Sequence, residues 1–179
     1  MKERVIPTQH LPQVIAGPIV RKVTPNESHI WLVTSNAEAP SLKLSSCDHT
    51  IAGECQSETI RVGSYAFIHL ISFYAADTFK DRARISYQLL FDDSSAQAKW
   101  KKEQRAILYD GQSTPSFHYT ETPETILHGS CRKPHFHEDD ALAQVDVLHK
   151  SAFEKDMNFP DLLLMTGDQI YADDVAGPM

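Results

Sequence analysis

The chain has 179 residues, of which 41% are hydrophobic and 23% are charged, a composition typical of a globular protein with room for one domain and part of another. Lys and Arg total 17 against 24 Asp and Glu, and the resulting net charge of −7 would repel a nucleic-acid backbone rather than attract it. The composition excludes disordered and fibrous proteins and argues against a nucleic-acid-binding scaffold. It leaves room for a small phosphate ester as a ligand, because bound cations can invert the local charge of a site.

The N-terminal segment and the cysteines indicate a compartment. Residues 1–8 contain no apolar run, so we expect neither a signal peptide nor a membrane-spanning helix, and no membrane partner. The chain has three cysteines, Cys47, Cys55 and Cys131. Their odd number and irregular spacing argue against a disulfide framework, although a Cys47–Cys55 bridge is an alternative for two of them. We expect a cytoplasmic protein, unless an export signal has been removed.

Residues 1–120 are predicted to form an N-terminal β-sandwich of the immunoglobulin or fibronectin kind. Short segments with period-two apolar alternation and turn residues between them are typical of antiparallel sheets. In one such segment Ile85, Tyr87 and Leu89 share a face. About seven strands are expected, at residues 14–20, 30–34, 41–44, 59–62, 65–74, 85–91 and 106–109.

The two tryptophans are assigned to different environments. Trp31 lies in a predicted strand and is expected to anchor the sandwich core. Trp100 lies in the polar segment 92–104, which is interpreted as an exposed loop or a short helix.

Residues 121–179 are predicted to begin an α/β domain. Segment 125–131 is typical of a strand, and it is followed by Leu142, Val145 and Leu148 at helical spacing. Asp140 adds negative charge where a helix N-terminus favours it. The apolar run 161–166 is typical of a buried parallel strand. Together these segments predict a βαβ unit.

Three side chains that could bind one metal ion follow the two predicted strands. Parallel strands place their carboxyl ends at the same edge of a sheet, about 4.8 Å apart when they are neighbours, so Cys131 and Asp168 can converge there. Tyr171 lies three residues beyond Asp168 and would face the same point across a helical turn. A phenol becomes a good ligand only for a strongly Lewis-acidic ion, which favours ferric iron over magnesium. Gly167 leaves space at the strand exit.

These residues also carry a family resemblance. Segment 167–171, Gly-Asp-Gln-Ile-Tyr, resembles the Gly-Asp-x-x-Tyr block of purple acid phosphatases and of PhoD-like phosphatases, which are calcineurin-type metallophosphoesterases. Ser130 and Cys131 are similar to the Ser-Cys that the PhoD-like branch, related to alkaline phosphatase D, has where its relatives have Asp-x-His or Asp-x-Gly. The domain order, with a sandwich that opens on segment 16–23, resembles the same branch.

The resemblance implies a metal-dependent phosphoester hydrolase of the alkaline phosphatase or phosphodiesterase type. In it, Cys131 and Tyr171 bind iron, Asp168 bridges metals, and calcium is the expected second metal. A metal-activated hydroxide would attack phosphorus. Arg132 is a possible phosphate contact, with a surface arginine as the alternative, and no catalytic side chain is assigned.

Four further residues are weaker candidates for metal binding. His135 and His137 form a His-x-His after a proline, and they are interpreted first as loop residues. Asp173 and Asp174 could be calcium ligands, but a solvated acidic turn explains them equally well. His128 lies within a predicted strand and is expected to be packed.

The family's later block, Gly-Asn-His or Gly-Asn-Asp, does not occur in this sequence. We therefore expect an N-terminal fragment of a longer hydrolase, with metal sites absent or incomplete and without activity of its own. Two parallel strands and one helix leave sheet edges uncovered, so the fragment is expected to self-associate through exposed strands. The alternative is a β-sandwich binding module for a partner or a saccharide, followed by a non-catalytic remnant. The preference for monoesters or diesters stays open.

Overall fold

A computed structural model describes residues 11–133, 140–155, 159–168 and 171. The chain divides into two compact units, Met1–Tyr119 and Thr120–Met179. The described residues are mostly β-sheet with antiparallel sheets, an architecture compatible with a β-sandwich.

Eight strands of the first unit form two antiparallel sheets. They are β1 (Val14–Val23), β2 (Glu27–Thr34), β3 (Ser41–Ser46), β4 (His49–Thr50), β5 (Gly53–Arg61), β6 (Phe67–Ala75), β7 (Ala83–Leu90) and β8 (Ser116–Tyr119). One sheet has the order β1-β2-β6-β5 and the other the order β4-β3-β7-β8. Side chains from both sheets contribute to one hydrophobic core.

Alternation along the strands explains this core. In β2, Ile30 and Leu32 are fully buried, and in β7, Ile85, Tyr87 and Leu89 are buried while the residues between them are less so. Each buried aliphatic side chain contributes roughly 1.5–3 kcal/mol relative to an exposed one. The period-two pattern in the sequence therefore predicts the buried face of these strands correctly.

Segment 106–109 is not a strand, so that prediction is wrong. A helix α1 (Ser94–Glu103) is followed directly by a 3-10 helix over Gln104–Ile107. Ile107 is 49% exposed, so the apolar pattern of this segment does not mark a core face. A run this short has too few residues for periodicity to distinguish a strand from a helical turn. The short strands β4 and β8 were not predicted.

Segment 92–104 contains the short helix α1, one of the two predicted alternatives, whereas the prediction that Trp31 anchors the core is wrong. Trp100 is only 3% exposed and lies on the buried side of α1, where it joins the core. Trp31 is half-buried and is not a core residue. Its neighbours Ile30 and Leu32 occupy the core face of β2, so alternation places Trp31 on the opposite face.

The second unit contains a βαβ arrangement. Strand β9 (Ile126–Gly129) is followed by helix α2 (Leu142–Lys155) and strand β10 (Leu162–Met165), and the two strands pair in parallel. The Asp161 carboxylate accepts the backbone N–H groups of Glu124 and Thr125, both at 2.8 Å. This contact joins the amino ends of the two strands and sets their register.

Strand β10 is exposed within the part of the chain that the structure describes, as expected where two parallel strands and one helix leave apolar faces uncovered, and it is not buried as its apolar run alone would predict. Leu162, Leu163 and Leu164 are 38%, 39% and 41% exposed. His128, which was expected to be packed, is also exposed, and its Nε2 lies 2.7 Å from the Thr166 hydroxyl. Strand β10 has more apolar surface than the single helix of this unit can bury.

Two further expectations concern the cysteines and membranes. All three cysteines are free and exposed, so the alternative of a Cys47–Cys55 bridge is not realised. Across the described ranges, none of the helices combines the length and apolarity needed to cross a bilayer.

Candidate metal site at the ends of the parallel strands

Backbone hydrogen bonds continue the pairing of β9 and β10 past their last residues. The N–H of Thr166 donates to the Gly129 carbonyl at 3.1 Å, and the N–H of Arg132 donates to the Asp168 carbonyl at 2.8 Å. The two chain segments therefore leave the sheet side by side. Cys131 and Asp168 lie at the same edge of the sheet as a result.

The sulfur of Cys131 is surrounded by hydrogen-bond donors. The Ser130 hydroxyl lies 3.2 Å from Sγ, and the Tyr171 hydroxyl and the Asp168 backbone N–H also hydrogen-bond to it. These donors, Ser130 first, lower the pKa of the Cys131 thiol, although desolvation and the negative charge of the nearby Asp168 carboxylate oppose them. A lower thiol pKa favours the thiolate, which is the metal-binding form of cysteine.

Cys131 also has an unusual backbone conformation. Its φ is +56°, in the left-handed region that residues other than glycine rarely adopt. Such a conformation costs on the order of 1–3 kcal/mol and persists only where the surrounding structure enforces it. Here it changes the direction of the chain at the second residue after the strand, which is the position whose side chain is the candidate ligand.

Gly167 makes the close approach of the two strand ends possible. A Cβ atom at this position would lie 2.5 Å from the Cys131 backbone nitrogen and 2.6 Å from Cys131 Sγ, and closer still to the Ser130 hydroxyl. Any side chain here would therefore displace the sulfur or the backbone that carries it. The absence of a side chain at Gly167 therefore lets the Ser130–Cys131 segment pack directly against it.

The donor atoms at this edge combine a soft thiolate with harder oxygen ligands, a mixture that suits a strongly Lewis-acidic transition-metal ion such as ferric iron. Thiolate sulfur, carboxylate oxygen and phenolate oxygen are all available, from Cys131, Asp168 and Tyr171. Among the described residues, no three Cys, His, Asp or Glu side chains are grouped so that they could hold a metal ion. A three-ligand site at this edge would therefore have to include the phenol of Tyr171.

Arg132 extends from the same strand end towards helix α2. Its Nε lies 3.0 Å and its Nη2 2.7 Å from Asp140 Oδ2, and Nε is also 3.3 Å from Oδ1. Asp140 Oδ1 accepts the backbone N–H of Leu142 at 3.0 Å, so the same carboxylate joins the first turn of α2. The hydrogen bonds from Arg132, and then that from Leu142, lower the pKa of Asp140.

A groove lined by residues of α2, β9 and β10 has a cavity volume of about 660 Å³. Cys131, Arg132 and Tyr171 line its polar end. Its apolar lining comes from both strands and from the helix, and includes Leu127, Leu163, Met165, Leu142, Val145 and Leu148. Ligand sites of proteins typically have this size and this mixture of apolar wall and few polar groups.

Comparison with protein-family models, with curated proteins and with solved structures finds no match to this chain. The PhoD-like assignment therefore rests on the motif residues and on the geometry above, and it is a proposal.

The structure brings together Cys131, Asp168 and Tyr171, and it places Arg132 beside them. His135, His137, Asp173 and Asp174 lie outside the described residues.

Two participants were not assigned from the sequence. Ser130 was noted only as part of the Ser-Cys motif, but its hydroxyl hydrogen-bonds to the sulfur. Asp140 was interpreted only as a charge favourable to a helix N-terminus, and its position shortly after Arg132 was the available signal for their pairing.

Proposed function

We propose that this chain carries part of the active site of a metal-dependent phosphoester hydrolase, in the PhoD-like branch of the calcineurin-type metallophosphoesterases. The observation that carries the proposal is the convergence of a thiol, a phenol and a carboxyl-bearing residue on one point at the carboxyl edge of a parallel strand pair. Ligand sites of α/β folds lie at this edge. The substrate class is a small phosphate ester, a monoester or a diester of the alkaline phosphatase or phosphodiesterase type.

Each site residue has a role in this proposal. Cys131 and Tyr171 would hold iron, and Asp168 would bind the same ion while reaching a second one, for which calcium is the candidate. Bound ions of this kind activate water and neutralise charge on phosphoryl oxygens. Arg132 offers N–H donors to a phosphate oxygen, and Gly167 allows the two strand ends to approach each other closely.

Further support comes from the state of Cys131. The backbone strain at φ +56° and the donors that favour the thiolate both occur at the position of the proposed iron ligand. Strained backbone and perturbed acidity concentrate at functional sites. In the same proposal the first unit is an immunoglobulin-like accessory domain, and the free cysteines fit a reducing compartment such as the cytoplasm.

Titration of the metal-free chain with ferric nitrilotriacetate under anaerobic conditions tests the proposal. Iron bound by thiolate and phenolate absorbs visible light through ligand-to-metal charge transfer, so we expect a new visible band. Cys131→Ala and Tyr171→Phe should each remove or shift that band. The wild-type chain without a band, or a band unchanged in both variants, would overturn the iron site.

Matched controls exist in the first unit. Cys47 is also an exposed cysteine with a left-handed backbone, at φ +47°, so Cys47→Ala controls for loss of a thiol and for the backbone effect of the substitution. Tyr65 is 53% exposed, and Tyr65→Phe controls for loss of a phenol. Both control variants should keep the wild-type band.

A second candidate function is a β-sandwich interaction module with a non-catalytic remnant. One observation favours it: all of β5 is exposed, and Ile60 and Val62 at its end are each 64% exposed. Exposed edge strands with apolar side chains are common docking sites for other chains. This candidate predicts binding that depends on Ile60 and a protein that does not retain iron, whereas the hydrolase proposal predicts iron that depends on Cys131.

A further inference from the structure

We infer that Asp140 is a positioning residue that holds Arg132 so that the free edge of its guanidinium group can bind the oxyanion of a phosphate ester at the polar end of the groove. The inference rests on the proposed function for the identity of the substrate, but the geometry and the test concern phosphate alone. It gives Asp140 a role in ligand recognition in addition to its place at the start of helix α2.

The geometry of the pair determines which donors remain. A guanidinium group has five N–H donors arranged in a planar fork. Asp140 engages the side edge of Arg132, formed by Nε and one Nη2 hydrogen. Among the described residues, the hydrogen bonds of the guanidinium group go to Asp140, which leaves one Nη1 and one Nη2 hydrogen on the end edge. Two parallel N–H groups on that edge match the spacing of two oxygens of a phosphoryl group.

Arg132 is held at two points. Its backbone N–H donates to the Asp168 carbonyl at 2.8 Å, which fixes the main chain at the strand end. Its guanidinium is fixed by Asp140 at the start of α2. A side chain immobilised at both ends loses less conformational entropy when it binds a ligand, so it binds more tightly than a freely moving arginine.

Accessibility and location agree with a ligand contact. The Arg132 side chain is 35% exposed, so a ligand can reach it, and both Arg132 and Asp140 line the groove. Arg132 directly follows Cys131 in the chain. A phosphoryl group held by Arg132 would therefore lie next to the residues proposed to bind iron.

The test is a titration of the metal-free, 15N-labelled chain with inorganic phosphate, followed by NMR of the arginine side-chain Nε–H signals. Wild-type Arg132 should give a shifted Nε–H signal, because this group is hydrogen-bonded to Asp140, and the signal should move on titration with phosphate. Asp140→Asn should weaken phosphate binding by roughly tenfold, the order expected for charge-assisted hydrogen bonds at a partly exposed site.

The choice of asparagine separates positioning from a purely structural role. Asparagine forms the same turn with a backbone N–H two residues on, so the start of α2 is retained. With its oxygen used there, its amide nitrogen cannot accept from Arg132. Arg132→Lys, which keeps the charge and loses the fork, should weaken phosphate binding similarly. Asp146→Asn, an exposed acid on the same helix, is the control and should leave the affinity unchanged.

The outcomes are decisive in both directions. A phosphate affinity that falls in Asp140→Asn and Arg132→Lys but not in Asp146→Asn supports the inference. Wild-type protein that shows no phosphate-dependent shift at Arg132, or an Asp140→Asn variant with wild-type affinity, overturns it. The titration contains no metal, so a failure of the iron site leaves this result interpretable, and a failure here leaves the iron site standing.

Discussion

Replacing Gly167 with alanine should disrupt the site locally while leaving the first unit intact. The new Cβ would lie 2.5 Å from the Cys131 backbone nitrogen and 2.6 Å from its sulfur. A backbone nitrogen cannot move aside as a flexible side chain can, so one strand end must shift. Overpacking of this kind costs about 1–3 kcal/mol.

Hydrogen exchange is the appropriate assay for this substitution. Both tryptophans lie in the first unit, so their fluorescence does not report on the second. A free-energy change of about 1.4 kcal/mol corresponds to a tenfold change in an equilibrium constant. The cost therefore predicts that the opening equilibrium that exposes the amide hydrogens of β9 and β10 to exchange rises roughly 5-fold to 150-fold in Gly167→Ala. The visible iron band should weaken in the same variant, because the sulfur is displaced.

Gly63 provides the matched control. A Cβ at Gly63 would meet nothing within 4 Å, so Gly63→Ala should leave both the hydrogen exchange of β9 and β10 and the iron band unchanged. A Gly167→Ala variant with wild-type exchange and a wild-type band would refute the reasoning that the absence of a side chain at Gly167 permits the site to form.

Four further outcomes are expected. Leu44→Ala, at a fully buried position, should lower the free energy of unfolding of the first unit by about 2–5 kcal/mol, measured by urea unfolding with tryptophan fluorescence. Ile60→Ala, at a 64% exposed position, should change the same free energy by no more than about 0.5 kcal/mol. Burial lowers the pKa of His69, so as the pH falls the unfolded chain binds a proton before the folded chain does, and the stability of the first unit should fall as the pH drops below about 6.5. The His69→Gln variant should lose that part of the pH dependence. A wild-type stability that is flat between pH 7 and 5 would contradict this prediction. The chain should self-associate with rising concentration in analytical ultracentrifugation, and Leu164→Lys should reduce this, since Leu164 is 41% exposed on a strand; a monomeric wild-type chain would contradict the prediction. Pure 1–179 chain with added iron and calcium should not hydrolyse p-nitrophenyl phosphate, because no group of three His, Cys, Asp or Glu side chains suited to a metal lies among the described residues, and sustained turnover would contradict this prediction.

Strands β2, β3 and β7 were predictable because buried and less buried residues alternate along them. Ile85, Tyr87 and Leu89 are all at most 4% exposed, and their sequence pattern has the same period. The same rule, applied strictly, would have corrected the assignment of Trp31, because its neighbours Ile30 and Leu32 are the more buried residues. Side-chain size suggested the core for Trp31, and position in the pleat decided against it.

The site was predictable only as far as topology determines it. Parallel strands joined through a helix place Cys131 and Asp168 at one edge, and this follows from the pattern of apolar segments. The left-handed backbone at Cys131 and the pairing of Arg132 with Asp140 do not follow from any periodicity, because both depend on the path of an irregular connection. Irregular segments of this kind are where sequence patterns carry the least information and where binding residues concentrate.

The exposure of β10 has a similar explanation. A continuous apolar run predicts burial on both faces of a parallel strand, but the described residues provide one helix to cover it. Leu162 and Leu164 share one face, with Ile126 on the neighbouring strand, and each of the three is more than one-third exposed. The sequence pattern thus indicates more packing than this unit supplies.

The most direct test of the central claim is X-ray absorption spectroscopy at the iron edge of the ferric-loaded chain. If Cys131, Asp168 and Tyr171 bind the same ion, the spectrum will contain one sulfur neighbour together with oxygen neighbours, and the sulfur contribution will disappear in Cys131→Ala and persist in Cys47→Ala. An iron environment of oxygen and nitrogen alone, or a sulfur contribution that survives in Cys131→Ala, would contradict the proposed site.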